Sequence, residues 1–179
     1  MKMKAIILTL CAFVCTISSN YAQDTDAYQL PPKAIADLLL AKPTPFVRID
    51  SKAEYLLLLG RNSYPSVEEL GQPEMKIAGL RLNPLNFSPS RQSPISGITL
   101  QSIKTGAKIA ITGLPKNLAA GAFAWNPSET KIAFTQTEIN RVDLYVIDIA
   151  TKKASRVNVN PINQVLGYAF TGVDDQTIL

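Results

Sequence analysis

Residues 123–134 read Phe-Ala-Trp-Asn-Pro-Ser-Glu-Thr-Lys-Ile-Ala-Phe, residues 142–149 read Val-Asp-Leu-Tyr-Val-Ile-Asp-Ile, and residues 150–157 read Ala-Thr-Lys-Lys-Ala-Ser-Arg-Val. Short apolar runs rich in β-branched and aromatic residues, separated by Asn-Pro-Ser-Glu and Thr-Lys-Lys turns, predict four antiparallel strands in succession. Four strands of this length and spacing form one blade of a β-propeller, and a single blade cannot bury both of its faces alone. Leu144 to Ile147 are apolar at both parities, as a middle strand between neighbouring blades requires, whereas residues 154–159 are more polar and suit an outer rim. Trp125 is read as packing between blades rather than as a ligand-stacking ring.

Working outward, Ser51 aligns on Ser128 at an offset of 77 and Trp125 on Phe170 at an offset of 45. The shorter spacing is that of a four-stranded blade, about 40–45 residues, and the longer one contains an insertion. The first blade runs through Phe46–Asp50, a turn at 51–54, and Tyr55–Gly60, whose nearly continuous apolar character predicts burial on both faces. A proline-rich insertion at 61–96 follows, in which Ser66-Val67-Glu68-Glu69 has the form of a capping box and predicts a short helix. Strands resume at 97–103 and 108–112. A third copy begins at Tyr168, and its Asp174-Asp175 pair is read as an exposed turn rather than a carboxylate metal site. The expected architecture is all-β, a partial β-propeller of about two and a third four-stranded blades over residues 45–179, broken off before the ring closes. Its helices are short, one inserted and one N-terminal.

Ahead of the first blade, residues 1–22 have the three parts of a secretory signal: Lys2 and Lys4, an apolar run from Ala5 to Ile17, and a small and polar end at Ala22. The run of about 13 residues is too short to span a bilayer, and no second run of spanning length follows. Export to the periplasm or the medium is the expectation. Cys11 and Cys15 both lie inside this run, so the processed chain holds no cysteine. Residues 23–44 read as a polar lead-in and a short amphipathic helix after Pro32, with Ile35, Leu38 and Leu39 on one face, suited to covering a sheet.

Composition narrows the chemistry. The 46% of hydrophobic and 18% of charged residues are those of an ordinary globular chain. The net charge of +4 falls to +2 without Lys2 and Lys4, and no basic cluster interleaved with aromatics appears, which argues against nucleic acid. Histidine is absent from all 179 residues, so neither a Ser-His-Asp triad nor a His-containing zinc site can be built from this chain, and no Gly-x-Ser-x-Gly turn occurs. No catalytic, cofactor-binding or metal residue is assigned, and no cofactor is expected. Asn86-Phe87-Ser88 has the form of a glycosylation acceptor, a weak three-residue signal.

The second blade resembles the propeller repeats of the prolyl oligopeptidase family and of the translocation protein TolB, with pattern Trp-Ser-Pro-Asp-Gly-x-x-Ile-Ala-Phe, then Leu-Tyr-x-x-Asp, then Thr-Gly. Trp125, Pro127, Lys131, Ile132, Ala133, Phe134, Leu144, Tyr145 and Asp148 match. Ser128 and Glu129 stand in place of Asp-Gly, and Lys152 in place of the Gly after Thr151, which puts the turn geometry in question. Leu30-Pro-Pro-Lys-Ala-Ile, the run from Leu70 to Pro84 and Ser90-Arg91 further resemble the glutamyl endopeptidase-like branch of that family. The resemblance implies a propeller that gates peptide substrates for a C-terminal hydrolase domain not contained in these residues, so the chain alone is expected to be inactive. It also implies cleavage after acidic residues, and on that basis Arg81 and Arg91 are candidates for contact with an acidic substrate side chain, with structural ion pairing as the alternative. A free-standing exported propeller binding module of TolB type, closed by association of several chains, and a degenerate remnant are the rival readings.

Overall fold

The computed structural model describes residues 31–167, 169–172 and 174–179. The expected signal at 1–22 lies outside the described residues, as does Tyr168, where the third copy was placed. The chain divides into two compact units, Met1–Leu39 and Leu40–Leu179. In the first, α1 (Lys33–Leu39) opens on carbonyl acceptance by Pro32 from the Ile35 and Ala36 amides, as a proline at a helix start allows. Its residues, the apolar Ile35, Leu38 and Leu39 included, are not buried.

The second unit is mostly β and antiparallel. Its elements in chain order are β1 (Phe46–Ile49), β2 (Tyr55–Arg61), α2 (Val67–Leu70), β3 (Met75–Ile77), β4 (Leu80–Asn83), β5 (Ser88–Pro89), β6 (Ile95–Ser102), β7 (Lys108–Ile109), β8 (Ala120–Trp125), β9 (Lys131–Thr137), β10 (Val142–Asp148) and β11 (Lys153–Arg156). Pairing gives two four-stranded meanders, β1-β2-β6-β7 and β8-β9-β10-β11, joined among the described residues by the ladder pair Ile95 and Ala120 and by a parallel bridge between Thr112, beyond β7, and Lys153. The insertion between β2 and β6 forms its own three-stranded sheet, β3-β4-β5. No closed propeller is present among the described residues.

Strand alternation assigns the faces. In the first meander Arg48, Leu57, Leu100 and Ile109 lie in one row and Phe46, Leu59 and Ile98 in the next, all on one face. In the second, Trp125, Ile132, Ile147 and Ala154 form a row beside Phe134 and Tyr145. These two faces meet and make the core, in which Leu57, Ile132, Phe134 and Ile147 are wholly buried. Phe134 stacks between Phe123 and Tyr145, with centroid distances of 5.6 and 5.5 Å. Each such side chain removed from water contributes about 1.5–3 kcal/mol. Trp125 packs against this core, as expected.

The expectation of burial on both faces of β2 requires correction. Leu57 and Leu59 are buried, but Leu56 and Leu58, which point to the opposite face, are only half-buried. A continuous apolar run here therefore alternates in burial. The strand expected at 108–112 is also shorter, because Thr112 leaves β6 to bond β11: its amide donates to Lys152 at 2.9 Å and its carbonyl accepts from Ala154 at 2.7 Å. Gly113 makes that crossing possible. At φ +75°, a Cβ there would stand 2.3 Å from the Ala154 carbonyl oxygen.

The turns between first and second strands repeat a bond. Glu129, in the turn after β8, accepts from the Ser51 amide at 3.0 Å and from its Oγ at 2.6 Å. Asp175, in the next turn of the series, accepts from the Ser128 amide and from Asn126 Nδ2, both at 2.8 Å. Each turn thus carries a carboxylate that caps the turn before it. Glu129 and Lys152, where the resemblance expects glycine, both sit at φ +56°, so the left-handed turn geometry is kept without glycine. For a non-glycine residue that conformation costs about 1 kcal/mol. Lys152→Gly is therefore expected to raise stability by about 1 kcal/mol in urea denaturation, since its side chain makes no hydrogen bond or ion pair among the described residues. By contrast, Glu129→Gly, which relieves the same strain but deletes the cap on Ser51, is expected to show no such gain by the same measurement.

Candidate functional site

Within the insertion, one carboxylate, Glu74, ties several segments together. α2 begins at the predicted capping box: Ser66 accepts from the Glu69 amide at 3.1 Å and Glu69 accepts from the Ser66 amide at 2.7 Å. The helix ends at Gly71 and delivers the chain to Glu74, immediately before β3. β3 and β4 then form a two-residue hairpin through Ala78 and Gly79, both at positive φ, which is the backbone a tight turn of this hand needs. These strands were not anticipated from the sequence; Met-Lys-Ile and Leu-Arg-Leu flanking Ala-Gly were the available signal.

Both candidate arginines converge on Glu74. Arg81 Nη1, on β4, donates to Oε1 at 2.9 Å, and Arg91 Nε, just after β5, donates to Oε2 at 2.8 Å. Ser90 Oγ adds a bond to Oε2 at 2.9 Å, and Lys76 Nζ lies 3.8 Å from Oε1. The Ser90 hydroxyl, followed by the charges of Arg91 and Arg81, holds the Glu74 carboxyl below the usual glutamate range against the opposing effect of burial. Arg81 and Arg91 remain 49% and 67% exposed, and each commits only one of its five N–H donors to Glu74.

The clasp borders a broad, open depression of about 980 Å³ between the insertion and the second meander. Glu74, Ser90 and Arg91 stand on one wall, and Asn117, Gln136 and Tyr145 on the other; Arg81 is outside the lining. Gln136 is buried and held by the Asn117 carbonyl at 2.9 Å and the Ala119 amide at 3.0 Å. Asn86 is also buried: its Nδ2 donates to the Glu138 carbonyl at 2.8 Å, while its Oδ1 accepts from the Ser88 hydroxyl. The glycosylation-like triplet is thus committed to docking the insertion on the β9–β10 turn, and in the folded chain its amide is not accessible for modification. On the same face as Gln136, its cross-strand partner, burial would raise the Asp143 carboxyl, but the hydrogen bonds of Arg141 and Asn158 and the charge of Arg156 hold it below the usual range. That network anchors the segment leaving β11.

Among the described residues, no cluster of three or more His, Cys, Asp and Glu is arranged to hold a metal ion, and no helix is long and apolar enough to cross a membrane. Asp174 caps the Gln176 and Thr177 amides of its own turn, at 2.7 Å each, and Asp175 is occupied by Ser128 and Asn126. The arrangement offers hydrogen-bond donors and positive charge beside a groove. It offers no nucleophile activated by a base.

The mostly-β architecture and this insertion accompany a distant similarity to serine endopeptidases of the prolyl oligopeptidase class. In particular, the chain is 24% identical over 165 residues to a probable chloroplastic glutamyl endopeptidase of Oryza sativa subsp. japonica, covering 85% of this chain and 18% of that protein. It is 28% identical over 112 residues to a protein of the same description from Arabidopsis thaliana, covering 60% of this chain and 12% of that protein. The chain therefore spans less than a fifth of the length of these relatives. No family model and no solved structure matches it.

The lowered Glu74 pKa fixes the sign of a pH effect. A carboxylate whose folded pKa is depressed contributes stability above its unfolded pKa and loses it as pH falls through the folded value. Hydrogen exchange of residues 74–91 is expected to accelerate as pH falls below the usual glutamate range, relative to the second meander. Glu74→Gln is expected to show the faster exchange already at neutral pH and to lose that acid dependence.

Proposed function

We propose that this chain forms part of the propeller of an exported serine endopeptidase of glutamyl endopeptidase type, screening peptides for a hydrolase domain carried on polypeptide beyond these 179 residues. The observation that carries the reading is the repeated unit: two four-stranded meanders, with successive first turns capped by Glu129 and Asp175. Such a unit extends by adding the next in the same relation, which is how blades accumulate around an axis. The similarity to two glutamyl endopeptidases supports the enzyme class. The Lys2–Ala22 segment supports export.

In this reading the depression beside the insertion faces the path of an arriving peptide, and the uncommitted N–H groups of Arg91 on its wall favour acidic side chains, with Arg81 adding charge from outside the lining. Peptide-bond cleavage itself, by acyl transfer to serine and then to water, needs an imidazole that this chain does not contain.

Two measurements test the proposal together. The coding region continued downstream is expected to encode a Gly-x-Ser-x-Gly turn followed by Asp and His, and the 179-residue chain alone is expected to leave a Glu-containing fluorogenic peptide uncleaved above background. Turnover by this chain that a single serine substitution abolishes would refute the division of labour, and a downstream region without that motif would refute the enzyme class.

A further inference from the structure

The chain contains six arginines, and four of them pair with a carboxylate: Arg81 and Arg91 with Glu74, Arg141 and Arg156 with Asp143. The other two, Arg48 and Arg61, make no ion pair among the described residues. Both stand on one face of the first meander. Arg48 follows Phe46 by two along β1, Arg61 follows Leu59 by two along β2, and Phe46 and Leu59 are cross-strand partners. The register irregularity at Gly60 and Arg61 leaves that alternation intact, because the residue passed over, Ser96, is on β6. Along the strands the two arginines therefore flank Phe46.

Arg61 is half-buried, and its Cζ lies 4.7 Å from the centre of the Phe46 ring. Its Nε is buried and has no hydrogen-bond partner among the described residues. A desolvated donor on a permanent cation is unfavourable until an anion meets it. The ring holds the guanidinium plane and attracts its charge but does not neutralise it. Arg48 Nη1 donates to the Phe123 carbonyl at 2.9 Å, and its remaining donors are uncommitted to any carboxylate. With Phe46 53% exposed and Arg48 exposed, this part of the face is open to solvent.

We infer that Arg61, assisted by Arg48, receives the carboxylate of an acidic side chain on a peptide. The site is apart from the depression, whose lining includes neither arginine. A planar guanidinium already fixed over a ring meets a carboxylate with two parallel bonds and little further loss of freedom. Arg61 also differs from Arg81 and Arg91 in spending no donor on a carboxylate of its own chain. The choice of a peptide as the bearer of that carboxylate rests on the peptide-screening reading; the unpaired charge does not.

The probe is acetyl-Ala-Glu-Ala-amide, titrated into the isotope-labelled full chain and followed by the Arg61 Nε–H resonance. A saturable shift is expected, with acetyl-Ala-Gln-Ala-amide bound about tenfold or more weakly. Arg61→Met, which keeps a long apolar stem over Phe46, is expected to lower affinity for the Glu peptide about tenfold with the urea midpoint unchanged or raised, since no ion pair within the chain is lost. Arg48→Gln, which keeps a donor for the Phe123 carbonyl, is expected to weaken binding severalfold. Absence of a saturable shift, equal binding of the Glu and Gln peptides, inorganic phosphate bound more tightly than the Glu peptide, or an Arg61→Met chain with a lowered urea midpoint and unchanged affinity would each overturn the inference. Binding of the Glu peptide by a chain whose downstream coding region lacks the hydrolase motif would keep this site and remove the enzyme class; the motif without binding would do the reverse.

Discussion

The contact between the facing surfaces of the two meanders is the constraint on which the rest depends. Leu57, Leu59, Ile98 and Leu100 on one side and Ile132, Phe134, Ile147 and Ala154 on the other are the main body of the core, and neither sheet buries these residues without the other. Backbone pairing between the meanders is sparse, limited among the described residues to Ile95 with Ala120 and the bridge of Thr112 to Lys153. The hydrophobic contact is non-directional, so it sets that the sheets meet but not how they are turned. Orientation comes from polar bonds at the periphery: Arg48 to the Phe123 carbonyl at 2.9 Å, Thr112 to β11, and Glu129 to Ser51.

Those peripheral bonds explain a departure from the usual turn chemistry. A glycine at position 129 would adopt the left-handed backbone without strain but would have no carboxylate to offer Ser51. The chain keeps the strained conformation, at about 1 kcal/mol, and gains three bonds from the Ser51 amide and hydroxyl to one carboxylate. Lys152 has the same backbone and no comparable bond from its side chain, and nothing in the structure explains the lysine there.

Where the sequence was legible, a local signal and a tertiary demand coincided. The strands of the second meander follow from period and turn chemistry, and their burial follows because the core lies on the parity that Ile132, Phe134 and Ile147 share. The Ser66–Glu69 box marked α2 because both of its bonds are local. The β2 expectation failed for the converse reason. Four consecutive leucines state that both faces are apolar, but whether a face is covered depends on what stands opposite it, which no local pattern encodes. The insertion strands were hidden by their brevity, with three and four residues around Ala78-Gly79 and prolines on either side. For the candidate site, the resemblance singled out Arg81 and Arg91, with ion pairing as the alternative, and the run that carries it contains Glu74; that Glu74 is their common partner follows from the Ala78-Gly79 hairpin, which the sequence reading did not foresee.

That partner sets the local charge balance. Glu74 neutralises one of three cations, Lys76, Arg81 and Arg91, so the clasp retains an excess positive charge of about two beside the depression. At physiological ionic strength the field of exposed charges fades over about 8 Å, which confines its influence to the wall that Arg91 occupies. What the structure shows of the two arginines is the ion-pairing alternative: each gives one N–H to Glu74 and leaves the rest of its guanidinium in solvent, and exposed pairs of this kind are individually weak.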